Sequence, residues 1–166
     1  MPEVRESLAV APTFRRPPTA VLARIIHAGD TPAKRRRAHT RAGAEALRLL
    51  AQRPSLGSGA FDDEAKDLVA YLAFHLRGIG DTIEGSAQSW DDRNYWKKAE
   101  QLRADYRWAP QAADQLEALA VAGDWPDVVP ELLGLIPRFA DVNIGKMTRD
   151  ADHWVGAYRA LVRRSR

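Results

Sequence analysis

Cysteine is absent from this 166-residue chain, which removes disulfide frameworks, cysteine-rich zinc sites and thiol nucleophiles together. No apolar run approaches the ~18 residues of a membrane span, and the N-terminus carries no signal-peptide core. A cytoplasmic protein with no membrane contact is therefore expected. Alternating β-branched runs and internal repeats are missing as well, so strands and repeat architectures are not expected. Walker loops, Gly-x-Ser-x-Gly elbows, His-Glu-x-x-His and Glu-x-x-His motifs do not occur. His27, His39, His75 and His153 are scattered, with Asp150 and His153 the only case of a carboxylate three residues ahead of a histidine. The expectation is a protein that is not an enzyme and has no metal or cofactor.

What is present suits a helical globule. Hydrophobic residues make up 45% and charged residues 28% of the chain, a balance that buries a core without staples. At roughly 100–200 residues per domain, one domain is expected. Residues 1–18 read as an irregular arm, because Pro2, Pro12, Pro17 and Pro18 interrupt any helix. Residues 19–166 read as an all-α, single-domain bundle of about six to seven helices.

A short helix is expected over 19–28, then one from Pro32 to about Gln52, with Asp30 or Thr31 as its N-cap. Ser55–Gly59 reads as a loop. A long helix starts near Phe61, with Leu68, Leu72, Leu76, Ile79 and Ile83 forming a buried stripe. Gly78, Gly80 and Gly85 within it favour a kink or a close helix contact. Further helices are expected from Asp91-Asp92 through Trp108, then over 111–122, 125–139 and 148–164.

Charge is segregated along the chain. Residues 1–60 hold 11 Lys/Arg against four Asp/Glu, residues 61–145 hold eight against 16, and residues 146–166 hold six against two. Basic ends flank an acidic middle, a pattern that points to anionic partners or to pairing of the ends with the middle. The Lys34-Arg35-Arg36-Arg37 cluster, with Arg41 and Arg48, is the strongest local feature. On a helix, Lys34, Arg37, Arg41 and Arg48 fall within a ~60° stripe opposite Gly43, Ala46, Leu47 and Leu50. Only Glu45 is available inside that helix to pair with them. Such a face can track a nucleic-acid backbone, RNA or DNA, or it can be an ordinary solvated helix surface. Arg15, Arg16, Arg163 and Arg164 are candidates to extend it.

Two other sets of residues carry possible chemistry. Trp90, Tyr95, Trp96, Tyr106 and Trp108 are interleaved with Arg93, Lys97, Lys98, Arg103 and Arg107. Exposed rings beside cations stack bases, whereas buried ones are core, and the expectation is that Trp96 and Trp108 are mostly buried. Contact with another protein is the third use of such residues.

Glu64 and Asp67, followed by Asp81 and Glu84, form two i,i+3 carboxylate pairs. They resemble the paired magnesium-binding motifs of all-α nucleotide pyrophosphohydrolases of the MazG and dimeric dUTPase type. In that family the pairs sit on neighbouring helices and aim at one metal cluster. Here 13 residues separate the pairs, and on one straight helix Glu64 and Glu84 point ~160° apart. Convergence needs a sharp break near Gly78–Gly80.

Taken with Trp154, Tyr158, Arg159, Arg163 and Arg164 at the C-terminus, the Lys34–Arg37, Arg41 and Arg48 stripe resembles the small helical subunits of CRISPR effector complexes. The resemblance lies in architecture and charge. It implies a non-catalytic subunit of an antiviral ribonucleoprotein that contacts nucleic acid sequence-independently and assembles with other protein subunits in several copies. The alternatives are a helical protein–protein adaptor and the metal-dependent nucleotide hydrolase.

Overall fold

The computed structural model describes residues 31–166. The expected arm over 1–18, the helix over 19–28, and Arg15 and Arg16 lie outside the described residues. Thr31 begins the first helix, α1 (Pro32–Ala51), its side chain accepting from the Lys34 backbone N–H while Pro32 occupies the first turn, where no N–H is needed. A four-residue helical turn, α2 (Ser55–Ser58), replaces the expected loop, and Gly59 closes it in the left-handed region at φ 70°.

The axis of the fold is α3 (Asp63–Asp91). Asp62 caps it by accepting from Ala65 N–H at 2.7 Å, and Asp63 and Glu64 complement its dipole. All five residues of the expected stripe are buried. Around α3 pack α1, α4 (Trp96–Tyr106), α5 (Trp108–Ala122) and α7 (Ala157–Arg164). The remaining helix, α6 (Trp125–Leu135), continues into a 3-10 turn at Ile136–Phe139. A second 3-10 turn covers Ala151–His153. The result is the expected all-α bundle, with no strand among the described residues.

The α1 and α3 helices run antiparallel: His39 lies against His75 and Gly78, Gly43 against Leu72, and Arg53 on Asp62. Gly78 produces a close approach, not a kink. A Cβ there would sit 2.4 Å from the His39 ring, so only a hydrogen lets α1 pack this tightly. Gly80 plays a milder version of the same part against Pro110, at 3.3 Å.

Several expected boundaries move. The helix does not restart at Asp91-Asp92. α3 runs on to Asp91, and the chain turns through Asn94, the one described non-glycine residue with positive φ (63°). The helix expected over 111–122 starts earlier, at Trp108, and Pro110 sits in the first turn of this α5, where its missing N–H has no partner to lose. The expected 148–164 helix is split at Gly156 (φ 84°), because Asp67 on α3 accepts from both Gly156 N–H and Tyr158 N–H and starts α7 there.

Candidate nucleic-acid interface

The cations of α1 divide into three groups. Arg41 and Arg48, expected as free members of the stripe, are clamps on the 144–148 segment. Arg41 donates to the Lys146 carbonyl at 2.7 Å and to Glu45 Oε1 at 3.0 Å, and Arg48 donates to the Ile144 carbonyl at 2.8 Å. Arg36 stacks its guanidinium over the Tyr106 ring, 5.5 Å from the centroid, with one terminal nitrogen buried and unpartnered. Lys34 and Arg37 are exposed and Arg35 half-buried, and neither Arg35 nor Arg37 makes a hydrogen bond or ion pair among the described residues.

Glu45 explains why the stripe is interrupted. It is buried at 1% exposure and takes bonds from Arg41, from Thr148 Oγ1 at 2.8 Å and from Thr148 N–H at 3.2 Å, with Arg149 at 3.4 Å. Burial pushes its carboxyl up, but the Thr148 bonds and the two guanidinium groups outweigh that and hold it below the usual range. A buried carboxylate needs such partners, and Arg41 is committed to supplying one.

Cations of the first and last described helices do meet. Arg35 of α1 and Arg164 of α7 line one cavity of about 350 Å³ together with His39, Phe74, Arg77, Gly78, Asp81 and Thr82. Arg164 lies over the Phe74 ring at 5.2 Å and bonds Glu117 at 2.6 Å. Arg77 is fixed by Glu117 and Asp114, which raise its already high pKa. Arg163, at the end of α7, is exposed.

Two histidines that look scattered in sequence form a pair, and one of them, His39, lines this cavity. The Nδ1 atoms of His39 and His75 are 2.9 Å apart, so one donates and the other accepts. His75 is fully buried and its Nε2 has no partner. Burial lowers the proton affinity of both rings, most strongly for His75. Neighbouring Tyr71, whose ring centroid is 4.3 Å from that of His75, has an unpartnered buried hydroxyl that burial pushes up to about 12. Proximity of His39 to His75 was hidden because 36 residues separate them.

The aromatic set also divides. Trp108 packs edge-on against Phe139 with Arg138 over its face. Trp96, expected to be buried, is 63% exposed, and Tyr95 beside it 54%. Ala99 and Leu102, one and two turns further along α4, do turn inward. However, α3 ends at Asp91 and offers no further turn to cover Trp96. Lys97 and Lys98 hold their ammonium groups 5.3 and 5.5 Å from the Trp96 and Tyr95 ring centres.

The four carboxylates do not converge. Because α3 is continuous, Glu64 and Glu84 are separated by about 30 Å of helix. Glu64 pairs with Arg53 and accepts from Trp154 Nε1, Asp67 caps α7, and Glu84 pairs with Arg103, which holds it below the usual carboxylate range. Asp81 faces the cavity instead. No cluster of three or more His, Asp or Glu side chains suited to a metal ion occurs among the described residues. Likewise, no helix among them is long and apolar enough to cross a membrane.

Fold and surface thus define an all-α bundle in which the first and last described helices each set an arginine at one cavity. No protein-family model, curated protein or solved structure matches the chain.

Proposed function

We propose that this protein binds the phosphate backbone of nucleic acid without reading sequence, through the cations that α1 and α7 set around one cavity. Its role is that of a non-catalytic accessory subunit in a ribonucleoprotein assembly of the CRISPR-effector kind. The observation that carries the reading is the meeting of Arg35 and Arg164 at a single cavity, with Arg37 and Arg163 exposed on the same two helices. Charges held at fixed positions on rigid helices neutralise phosphates and release counterions, which makes binding salt-dependent and sequence-tolerant.

The test is a titration of labelled oligonucleotides of unrelated sequence across a salt series. Replacing Arg35, Arg37 and Arg163 with Gln is expected to weaken all sequences alike. The slope of log affinity against log salt should shrink by about 0.7–0.9 for each phosphate that is no longer neutralised. A second reading, a helical protein–protein adaptor, is favoured by Leu133 and Ile136, which stand 50% and 43% exposed at the edge of α6 and its 3-10 extension. It predicts negligible oligonucleotide affinity and no response to the triple substitution.

A further inference from the structure

We infer that the turn joining α3 to α4 is a stacking platform for unpaired bases, so that the nucleic acid taken by this protein is single-stranded. The inference rests on the nucleic-acid reading and narrows its substrate. Tyr95 and Trp96 are consecutive residues that both project more than half their surface into solvent. The turn that presents them is held by backbone bonds: Asn94 N–H donates to the Asp91 carbonyl and Tyr95 N–H to the Trp90 carbonyl, each at 2.9 Å. The rings are therefore displayed by a closed turn at the start of a helix.

Their surroundings identify the occupant. Between residues 92 and 98 the only large apolar groups are these two rings; the rest are Asp92, Arg93, Asn94, Lys97 and Lys98. The core of a protein–protein interface is depleted of charge and rich in apolar neighbours. Here three cations stand against one acid, and Asp92 is taken by the Gln88 side-chain amide at 2.9 Å. The two lysines already lie over the rings. A base sliding onto a ring displaces its ammonium group, which stays near enough to meet the phosphate attached to that base. Stacking is indifferent to base identity, because every base has a π-face. In a duplex those faces are covered by neighbouring bases, so the platform selects single strands.

Continuity with the cations of α1 supports the same occupant. From Trp96, α4 runs about 15 Å to Tyr106, where the Arg36 guanidinium of α1 lies over the ring. A strand stacked at the turn and following α4 arrives at the cations of α1.

The experiment uses the full chain and two probes, a fluorescent oligothymidylate of about 12 nucleotides and a duplex of equal length. Affinities of the unmodified protein are compared with those of Trp96→Ala, Tyr95→Ala and Trp96→Phe, each checked for an unchanged far-UV spectrum and melting midpoint. Trp96→Ala is expected to weaken oligothymidylate binding roughly 5- to 150-fold, the range for removing one base–aromatic stack. Trp96→Phe should retain most of the affinity, and the salt slope should not change. Equal affinity of Trp96→Ala and the unmodified protein for the single strand, with duplex binding intact, overturns the platform alone. So does a loss of self-association on light scattering without a change in single-strand affinity, which assigns the rings to a protein interface. If the unmodified protein binds neither probe, the nucleic-acid reading falls with it.

Discussion

Trp154 and Trp96 are the same side chain at the two ends of α3, yet Trp154 is 5% exposed and Trp96 63%. Trp154 lies over the first turns of α3, where its ring meets Tyr71 at 6.2 Å and its Nε1 donates to Glu64. Trp96 lies where α3 has stopped, with the Lys97 ammonium group over its ring. The residue type is the same in the two cases. What differs is whether another element continues past the ring, and this property belongs to the assembly of helices, not to either tryptophan.

The sharpest way to break that comparison is to remove both rings. Trp154→Ala is expected to cost about 3–5 kcal/mol, because it opens a cavity in the core. Trp96→Ala should stay within about 0.5 kcal/mol, as exposed substitutions do. Equal shifts in urea midpoint would show that the two ends of α3 are packed alike.

Next in size is the α1–α3 seam. Gly78→Ala forces the new methyl against the His39 ring, whose Nδ1 is hydrogen-bonded to His75 Nδ1 on the same helix α3. A loss of about 1–3 kcal/mol is expected, typical of overpacking, whereas Gly85→Ala, with nothing within 4 Å of its Cβ position, should be neutral or slightly stabilising. Stability equal in the two variants would show that the close approach at Gly78 relaxes without strain.

Acid tests the same seam by titration. In the folded protein burial lowers the proton affinity of His39 and His75, whereas the unfolded chain protonates its histidines at ~6.5. Arg35 and Arg149 reinforce this against His39 while Asp81 opposes it, and Arg149 and His153 reinforce it against His75. Below pH 6.5 the unfolded state therefore binds more protons, and stability falls as pH drops. The loss is up to about 1.4 kcal/mol per pH unit for each histidine kept neutral. Above pH 6.5 this contribution is complete and flat. Urea midpoints measured between pH 7.5 and 5 check the slope, and His75→Gln should reduce it. A midpoint that does not respond to pH over that range would show that both rings charge freely in place.

The smallest effects separate the clamps of α1 from Arg37. Arg41→Gln removes a charged partner from buried Glu45 and is expected to cost about 1–3 kcal/mol, softened by the bonds that Thr148 and Arg149 keep. Arg37→Gln should leave the melting midpoint unchanged while lowering the salt slope of oligonucleotide binding. If the two variants melt alike, Glu45 does not depend on Arg41.

Much of the helical layout was legible because it is set by neighbours in sequence. Thr31-Pro32 and Asp62 mark helix starts through bonds made within three residues, and the Leu68–Ile83 stripe identifies the buried face of α3 by its period. The basic cluster of α1 was visible for the same reason. The division of that cluster was not. Arg41 and Arg48 point along the same stripe as Arg37, and nothing in their spacing reveals carbonyls 105 and 96 residues away.

By itself, then, the sequence determined an all-α chain, the faces its main helices bury and the charge at its two ends, since all of these follow from periodicity, capping and composition within a few residues. Only the tertiary structure decided which tryptophan is core, which arginines are clamps and that two buried histidines share a hydrogen bond. Each of those outcomes depends on where one helix ends relative to another, and that distance is set by packing across tens of residues of chain.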